Sequence, residues 1–239
     1  MRKKRQPMPY VSCIIAAAGR GSRMQADVNK IFLEFADMPV LAHTLLAFER
    51  HPSIREIVIV TSECDLLGCK DIAEEFGISK LKTITLGGAQ RQDSVRNALC
   101  EVSSQADLVL IHDAARPLVT SQMIQAVIDG VLSCGAAAAG VPCKNTLKLA
   151  DASGMILETP DRSHMFEIQT PQGFTKELIV RAHEAAKADG ILGTDDCYLA
   201  ERLGAPVQIT EGSYANIKIT TPEDLLLAEQ LFYRQAASE

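Results

Sequence analysis

Surplus positive charge, long apolar runs, paired cysteine motifs and the two commonest phosphate-loop signatures are all missing from this sequence. Its 239 residues carry 24 lysines and arginines against 30 aspartates and glutamates, a net charge of -6. Non-specific duplex binding runs on a cationic surplus, so no nucleic-acid partner is expected. No uninterrupted apolar run approaches the roughly 18 residues of a bilayer span, and the richest, Gly135 to Val141, is mostly alanine and glycine. A soluble protein with no membrane partner is expected. Seven cysteines, an odd number without C-x-x-C spacing, fit neither a disulfide framework nor a zinc site. Reduced thiols and a cytoplasmic location follow. Residues 1–10 begin with a basic stretch but lack the apolar segment of a signal peptide, and read as a solvated tail.

What is present is an ordinary globular composition, 47% apolar and 23% charged, at a length that suits one large domain. Short apolar runs at Val11 to Ala16, Glu56 to Thr61, Lys82 to Leu86, Asp107 to His112 and Ala136 to Val141 are near-continuous, as in strands buried on both faces of a parallel sheet. Helix-period segments lie between them, at Val40 to Arg50, Leu66 to Phe76, Gln92 to Val102 and Ser121 to Ser133. The alternation predicts an α/β fold with a doubly wound, mostly parallel sheet over residues 11–234 and a short tail at 235–239. At about 142–165 the rhythm breaks. Asn145 to Ala150 alternates, Asp151 to Gly154 reads as a tight turn, and Met155 to Thr159 can return as a partner strand. A two-stranded arm is marginal alone, so it packs either on a second copy of the chain or on its own domain. Helices are then expected at Lys176 to Asp189 and Asp195 to Arg202, strands at Val207 to Glu211 and Ile217 to Ile219, and a last helix opened by Thr221-Pro222-Glu223.

The residues that carry chemistry cluster after the strands. The first strand runs into Ala16-Ala17-Ala18-Gly19-Arg20-Gly21-Ser22-Arg23-Met24, with Lys30 close behind. Glycines let such a loop present N–H groups to an anion, and Arg23 and Lys30 add full charge, so it reads as a phosphate cradle. It is neither a dinucleotide fingerprint, which needs a third glycine at Met24, nor a P-loop, which needs Gly-Lys-Ser or Gly-Lys-Thr. The third strand ends in Gly87-Gly88, where a ligand could approach the backbone closely, and Ser94 sits near the positive end of the next helix. His112-Asp113-Ala-Ala-Arg116-Pro117 places an acid and a base at a strand's carboxyl end, although Asp113 and Arg116 could also form a plain ion pair. Asp195 and Asp196 could face a metal, but a helix cap is the simpler reading. Lys218, between Asn216 and Thr220-Thr221, has the setting of a ligand-facing end.

Taken in order, Ala-Ala-Gly-x-Gly-x-Arg-Met, Gly-Gly-x-x-Arg-x-x-Ser-Val, His-Asp-Ala-Ala-Arg-Pro, Thr-Pro-Gln, Thr-Asp-Asp and Asn-x-Lys-x-Thr-x-Pro-x-Asp-Leu closely resemble the 2-C-methyl-D-erythritol 4-phosphate cytidylyltransferases of the non-mevalonate isoprenoid pathway, over about Val11 to Arg234. The resemblance implies a Rossmann-like nucleotidyltransferase fold, a homodimer joined by a β-arm, magnesium with CTP, and release of pyrophosphate. It implies that Arg23 and Lys30 steady the triphosphate and the transition state. Arg162 and Lys218 would orient the methylerythritol phosphate, with Thr146, Thr170 and Arg116 lining that second site and Arg162 serving the neighbouring subunit. Ala17, Ala18, Gly19, Gly21, Gly88 and Ser94 would hold the nucleotide, and Asp113 would lie near the ribose and the metal. Ala16 and Ala89 stand where many members carry proline and aspartate. Two other readings stay open: transfer to another polyol phosphate such as ribitol 5-phosphate, and a nucleotide-binding regulator without turnover.

Overall fold

The computed structural model describes residues 8–19 and 29–237. The chain opens with strand β1 (Val11–Ala16), passes a short hairpin of β2 (Glu34–Phe35) and β3 (Met38–Pro39), and continues through α1 (Val40–Arg50), β4 (Ile54–Thr61), α2 (Leu66–Glu75), β5 (Leu81–Leu86), α3 (Arg91–Glu101), β6 (Leu108–Asp113), α4 (Ser121–Cys134) and β7 (Ala136–Pro142). A hairpin of β8 (Leu149–Ala150) and β9 (Ile156–Glu158) follows, then β10 (Phe166–Thr175), α5 (Lys176–Ala188), α6 (Asp196–Arg202), β11 (Gln208–Glu211) and α7 (Pro222–Ala236).

Seven strands form one sheet in the order β11-β7-β10-β6-β1-β4-β5, parallel except where β10 runs against both β7 and β6. Alternate side chains of each strand feed opposite layers. Cys13 and Ile15 pack with Leu41, Phe48, Ile72 and Ile124 of α1, α2 and α4, whereas Ile14, Val58 and Val60 pack with Val95, Ile179 and Ala200 of α3, α5 and α6. This is a doubly wound α/β sheet. From β1 the chain steps outward to β4 and β5, then crosses back through α3 to lay β6 on the other side of β1. The carboxyl ends of β1 and β6 therefore flank a topological switch point, where open α/β sheets bind ligands.

Two expectations need correction. Ile217 to Ile219 is not a strand: the Ile219 N–H donates to Ala115 O at 2.8 Å, which ties this irregular segment to the turn after β6 instead of to a ladder. In the opposite sense, the Gln169-Thr170-Pro171-Gln172 cluster lies inside β10, the ten-residue antiparallel strand that fills the gap between β6 and β7.

The sheet leaves no room at Gly173, where a Cβ would lie 2.7 Å from both Leu110 Cδ2 and Val127 Cγ1 and 2.8 Å from Val131 Cγ2. Overpacking of this kind costs about 1–3 kcal/mol. Gly173→Ala is expected to lower the unfolding free energy in a urea melt by that amount; an unchanged midpoint would contradict the packing described.

Candidate active site

The cleft at the switch point has a volume of about 640 Å³. One wall is the end of β1, Ala16 to Gly19, with Lys30 and Ile31; a second is Gly88 to Arg91 with Ser94; the third is Asp113, Ala115, Lys218 and Thr220. Of the expected residues, Ala17, Ala18, Gly19, Lys30, Gly88, Ser94, Asp113 and Lys218 line it. Arg23 and Gly21 lie outside the described residues.

Local packing shapes each wall. Gly87 and Gly88 are required less by a ligand than by the protein: a Cβ on Gly87 would meet Ala18 Cβ at 2.7 Å, and one on Gly88 would meet Asp93 Cβ at 2.3 Å. That tight approach lets the Gly88 N–H donate to Ser94 Oγ at 3.0 Å, while the Ser94 hydroxyl donates to Gln90 O. Gln90 and Asp93 close a capping box at the start of α3, which aims the helix's positive end at the cleft.

Asp113 is the electrostatic centre. Lys218 Nζ sits 2.8 Å from its Oδ2, Arg116 Nε 3.6 Å from the same oxygen, and Arg91 Nε 3.6 Å from Oδ1. Burial pushes the carboxyl up, but Lys218, Arg91 and Arg116 outweigh it and hold the group well below the ordinary carboxylate range. The plain Asp113–Arg116 ion pair is thus real but forms one spoke of a hub. Arg116 also donates from Nη1 to Asn216 O at 2.8 Å. Asn216, fully buried, donates to Gln169 Oε1 and Thr170 O, and so fixes the segment that carries Lys218 against β10.

Arg91 is the functional side chain that residue-by-residue reading passed over, although it stands inside the Gly-Gly-x-x-Arg motif. Its Nη1 donates to Asp196 Oδ2 at 2.7 Å, and Asp196 Oδ1 lies 3.1 Å from His183 Nε2. Asp195 accepts from the Tyr198 N–H and caps α6, as expected, whereas Asp196 is the buried counter-ion of Arg91.

Arg116 and Thr170 stand behind the Asp113 wall, outside the cleft lining. Thr146 and Arg162, on the arm, do not line the cleft either. Arg162 donates to Lys144 O, Lys144 Nζ rests 3.3 Å from the Tyr214 ring centroid, and Asp151 Oδ1 organises the tip by accepting from Ser153 N, Ser153 Oγ and Met155 N. Met155, Ile156 and Leu157 on the arm are 60–67% exposed.

His112 needs the sharpest correction. It is fully buried and does not face the cleft as a base; its ring turns to Phe48, with centroids 5.0 Å apart. Burial lowers its pKa from 6.5 to about 4 despite a hydrogen bond to the Arg116 carbonyl.

Among the described residues no group of three or more His, Cys, Asp or Glu side chains is placed to hold a metal ion, and no helix is long and apolar enough to cross a membrane. Among the described residues, Asp113 is the one carboxylate lining the cleft.

The 2-C-methyl-D-erythritol 4-phosphate cytidylyltransferase family model matches residues 11–234. The protein of that name from Caldanaerobacter subterraneus subsp. tengcongensis is 48% identical over 226 residues, 94% of this chain and 99% of that protein. Its counterpart from Clostridium botulinum strain 657 is 47% identical over 220 residues, 92% of this chain and 96% of that one. Among solved structures, 4-diphosphocytidyl-2C-methyl-D-erythritol synthase from Anaerococcus prevotii matches with a TM-score of 0.84 at 32% identity, covering 94% of this chain and 96% of that one.

Because His112 titrates near 6.5 when unfolded but at about 4 when folded, the unfolded chain binds the extra proton between those values. Its contribution to stability is therefore whole above pH 6.5 and shrinks as the pH falls toward 4. Thermal melts from pH 7.5 to 4.5 should show a falling midpoint below 6.5, with a shallower slope in His112→Gln; equal slopes would remove His112 as a cause.

Proposed function

Because the chain belongs to the 2-C-methyl-D-erythritol 4-phosphate cytidylyltransferase family, we propose that its cleft brings CTP and the sugar phosphate together on either side of Asp113. The enzyme catalyses CTP-dependent cytidylyl transfer to 2-C-methyl-D-erythritol 4-phosphate in isoprenoid biosynthesis. The observation that carries the division of labour is the gathering of Arg91, Arg116 and Lys218 around one carboxylate at the cleft.

A phosphate monoester is already largely anionic near neutral pH, so its oxygen can attack the α-phosphorus of CTP without a general base. The inward turn of His112 agrees with that. Catalysis then rests on alignment and on charge stabilisation where two polyanions meet. The narrow wall of Gly88 and Ser94, with Ala17, Ala18 and Gly19 opposite, takes the nucleotide. Lys30 faces the triphosphate and the charge that develops as pyrophosphate leaves, a role the family resemblance also gives to Arg23. Lys218, held by Asp113 on a segment that Asn216 ties to β10, takes the acceptor phosphate, with Arg116 and Thr170 behind it.

Magnesium fits as an ion bound chiefly by CTP phosphates, because Asp113 offers a single carboxylate and Mg²⁺ commonly binds through one or two carboxylates with substrate phosphates and water. When bound it would neutralise phosphate charge. We also propose a homodimer through the arm: the exposed Met155, Ile156 and Leu157 make an apolar patch that a second copy would cover, and Arg162 and Thr146 on the arm are not among the residues that line the cleft of their own chain. Seven free cysteines, three of them buried, suit a reducing cytoplasm.

Pyrophosphate release with CTP and a panel of sugar phosphates tests the whole reading. Turnover should require the methylerythritol phosphate; preference for ribitol 5-phosphate would overturn the acceptor assignment. Lys30→Ala is expected to reduce kcat about 100- to 1,000-fold with a nearly unchanged KM for CTP. Lys218→Ala should instead raise KM for the sugar phosphate, read by initial rates at saturating CTP. If Arg162 serves the neighbouring site, mixing Arg162→Ala with Lys218→Ala chains restores one intact site per mixed dimer, about a quarter of wild-type activity after free exchange. No recovery would place both residues in the same subunit's site.

A further inference from the structure

The turn that carries Asp113 and Arg116 has all four of its carbonyls engaged. The Arg116 N–H donates to Asp113 O at 3.0 Å, Thr44 Oγ1 donates to Ala114 O at 2.8 Å, and the Ile219 N–H donates to Ala115 O at 2.8 Å. The fourth, Arg116 O, lies 3.0 Å from His112 Nε2. On the other side of the ring, His112 Nδ1 lies 3.0 Å from Thr170 Oγ1, and that same hydroxyl oxygen accepts the Asp113 N–H at 3.1 Å.

These contacts determine the tautomer. A carbonyl only accepts, so His112 Nε2 carries the hydrogen and donates it to Arg116 O. Nδ1 is then an acceptor, and the single threonine hydrogen points to it while the hydroxyl oxygen receives the Asp113 N–H. Every polar atom in the chain Arg116 O, His112, Thr170 Oγ1, Asp113 N has a partner, and the threonine hydroxyl has two, donating to His112 Nδ1 and accepting from Asp113 N. A buried network satisfied in this way is rigid. Packing against Phe48 of α1 prevents the ring from rotating out of it.

We propose that His112 is a positioning residue for the acceptor half of the site: one neutral imidazole sets the backbone of Arg116, the hydroxyl of Thr170 and, through it, the backbone of Asp113. It touches neither substrate. The proposal rests on the assignment of Arg116 and Thr170 to the sugar phosphate. The CTP wall, formed by β1 and the start of α3, has no bond to this ring, so the two substrates should respond differently to its loss.

The test is steady-state kinetics on the full-length enzyme with magnesium, varying each substrate in turn. His112→Ala should lower kcat/KM for the methylerythritol phosphate about 10- to 100-fold, since small misplacements of positioning groups cost that much, with KM for CTP within twofold of wild type. His112→Gln, which can still donate to Arg116 O, and His112→Asn, which can still accept from Thr170, should each recover part of the loss. They also carry the test if the alanine variant fails to fold. In a double-mutant cycle, adding Thr170→Val to His112→Ala should cost much less than Thr170→Val costs alone, because the shared bond is already gone. Equal loss of affinity for both substrates, or additive effects in the cycle, would overturn the proposal. Arg116→Ala separates the two layers. If it raises KM for CTP instead of the sugar phosphate, the acceptor assignment itself is wrong; if it raises KM for the sugar phosphate while folded His112 variants behave as wild type, only the role of His112 is.

Discussion

One carboxylate sets the geometry of this active site. Asp113, at the end of a central strand, is nearly buried and draws Lys218, Arg116 and Arg91 toward it from three separate parts of the chain. Three cations placed together without it would repel one another and spread into solvent, where long side chains gain rotamer freedom. With it, their directions are fixed before either substrate arrives, and fixed direction is what lets electrostatic stabilisation act without reorganisation. A protein of net charge -6 can then hold two polyanions, because the cationic field is local.

The surrounding fold serves to keep that hub in register. β6 lies beside β1 because the α3 crossover returns the chain to the middle of the sheet, and this puts Asp113 opposite Ala16 at the cleft floor. β10 inserts antiparallel on the other side of β6 and brings Thr170 and Gln169 to the same end. Asn216 bridges β10 to the Lys218 segment, and Asp196 anchors Arg91 from α6. Each spoke of the hub thus has its own buried polar support.

Much of this was legible from the residues alone, and the failures have physical reasons. The parallel strands announce themselves as apolar runs because both faces are covered; β1 and α1 occupy the ranges their patterns predict. β10 escaped because it runs through Pro171 and Gly173, residues that usually break a strand, and through Gln169, Thr170 and Gln172, whose side chains here bond Ser213 O, the Asp113 N–H and Asp195 Oδ2. Ile217 to Ile219 failed in reverse: alternation was present, but its neighbour is a turn instead of a strand. The pairing of Arg91 with Asp196 spans 105 positions and leaves no local pattern. His112 misled through adjacency, since successive residues of a strand face opposite ways and the neighbour of a cleft carboxylate belongs to the core. The motifs, read together, gave the chemistry that spacing alone left open.

The hub makes an unusual demand on charge. If the acceptor phosphate simply sought positive potential, removing the negative Asp113 would strengthen its binding; if direction matters more, removal would weaken it. Calorimetric binding of the methylerythritol phosphate to Asp113→Asn, in buffer without divalent cation so that metal binding does not enter, separates the two. The account predicts weaker binding than wild type, by about tenfold or more, roughly 1.4 kcal/mol. Binding as tight as wild type or tighter would contradict it.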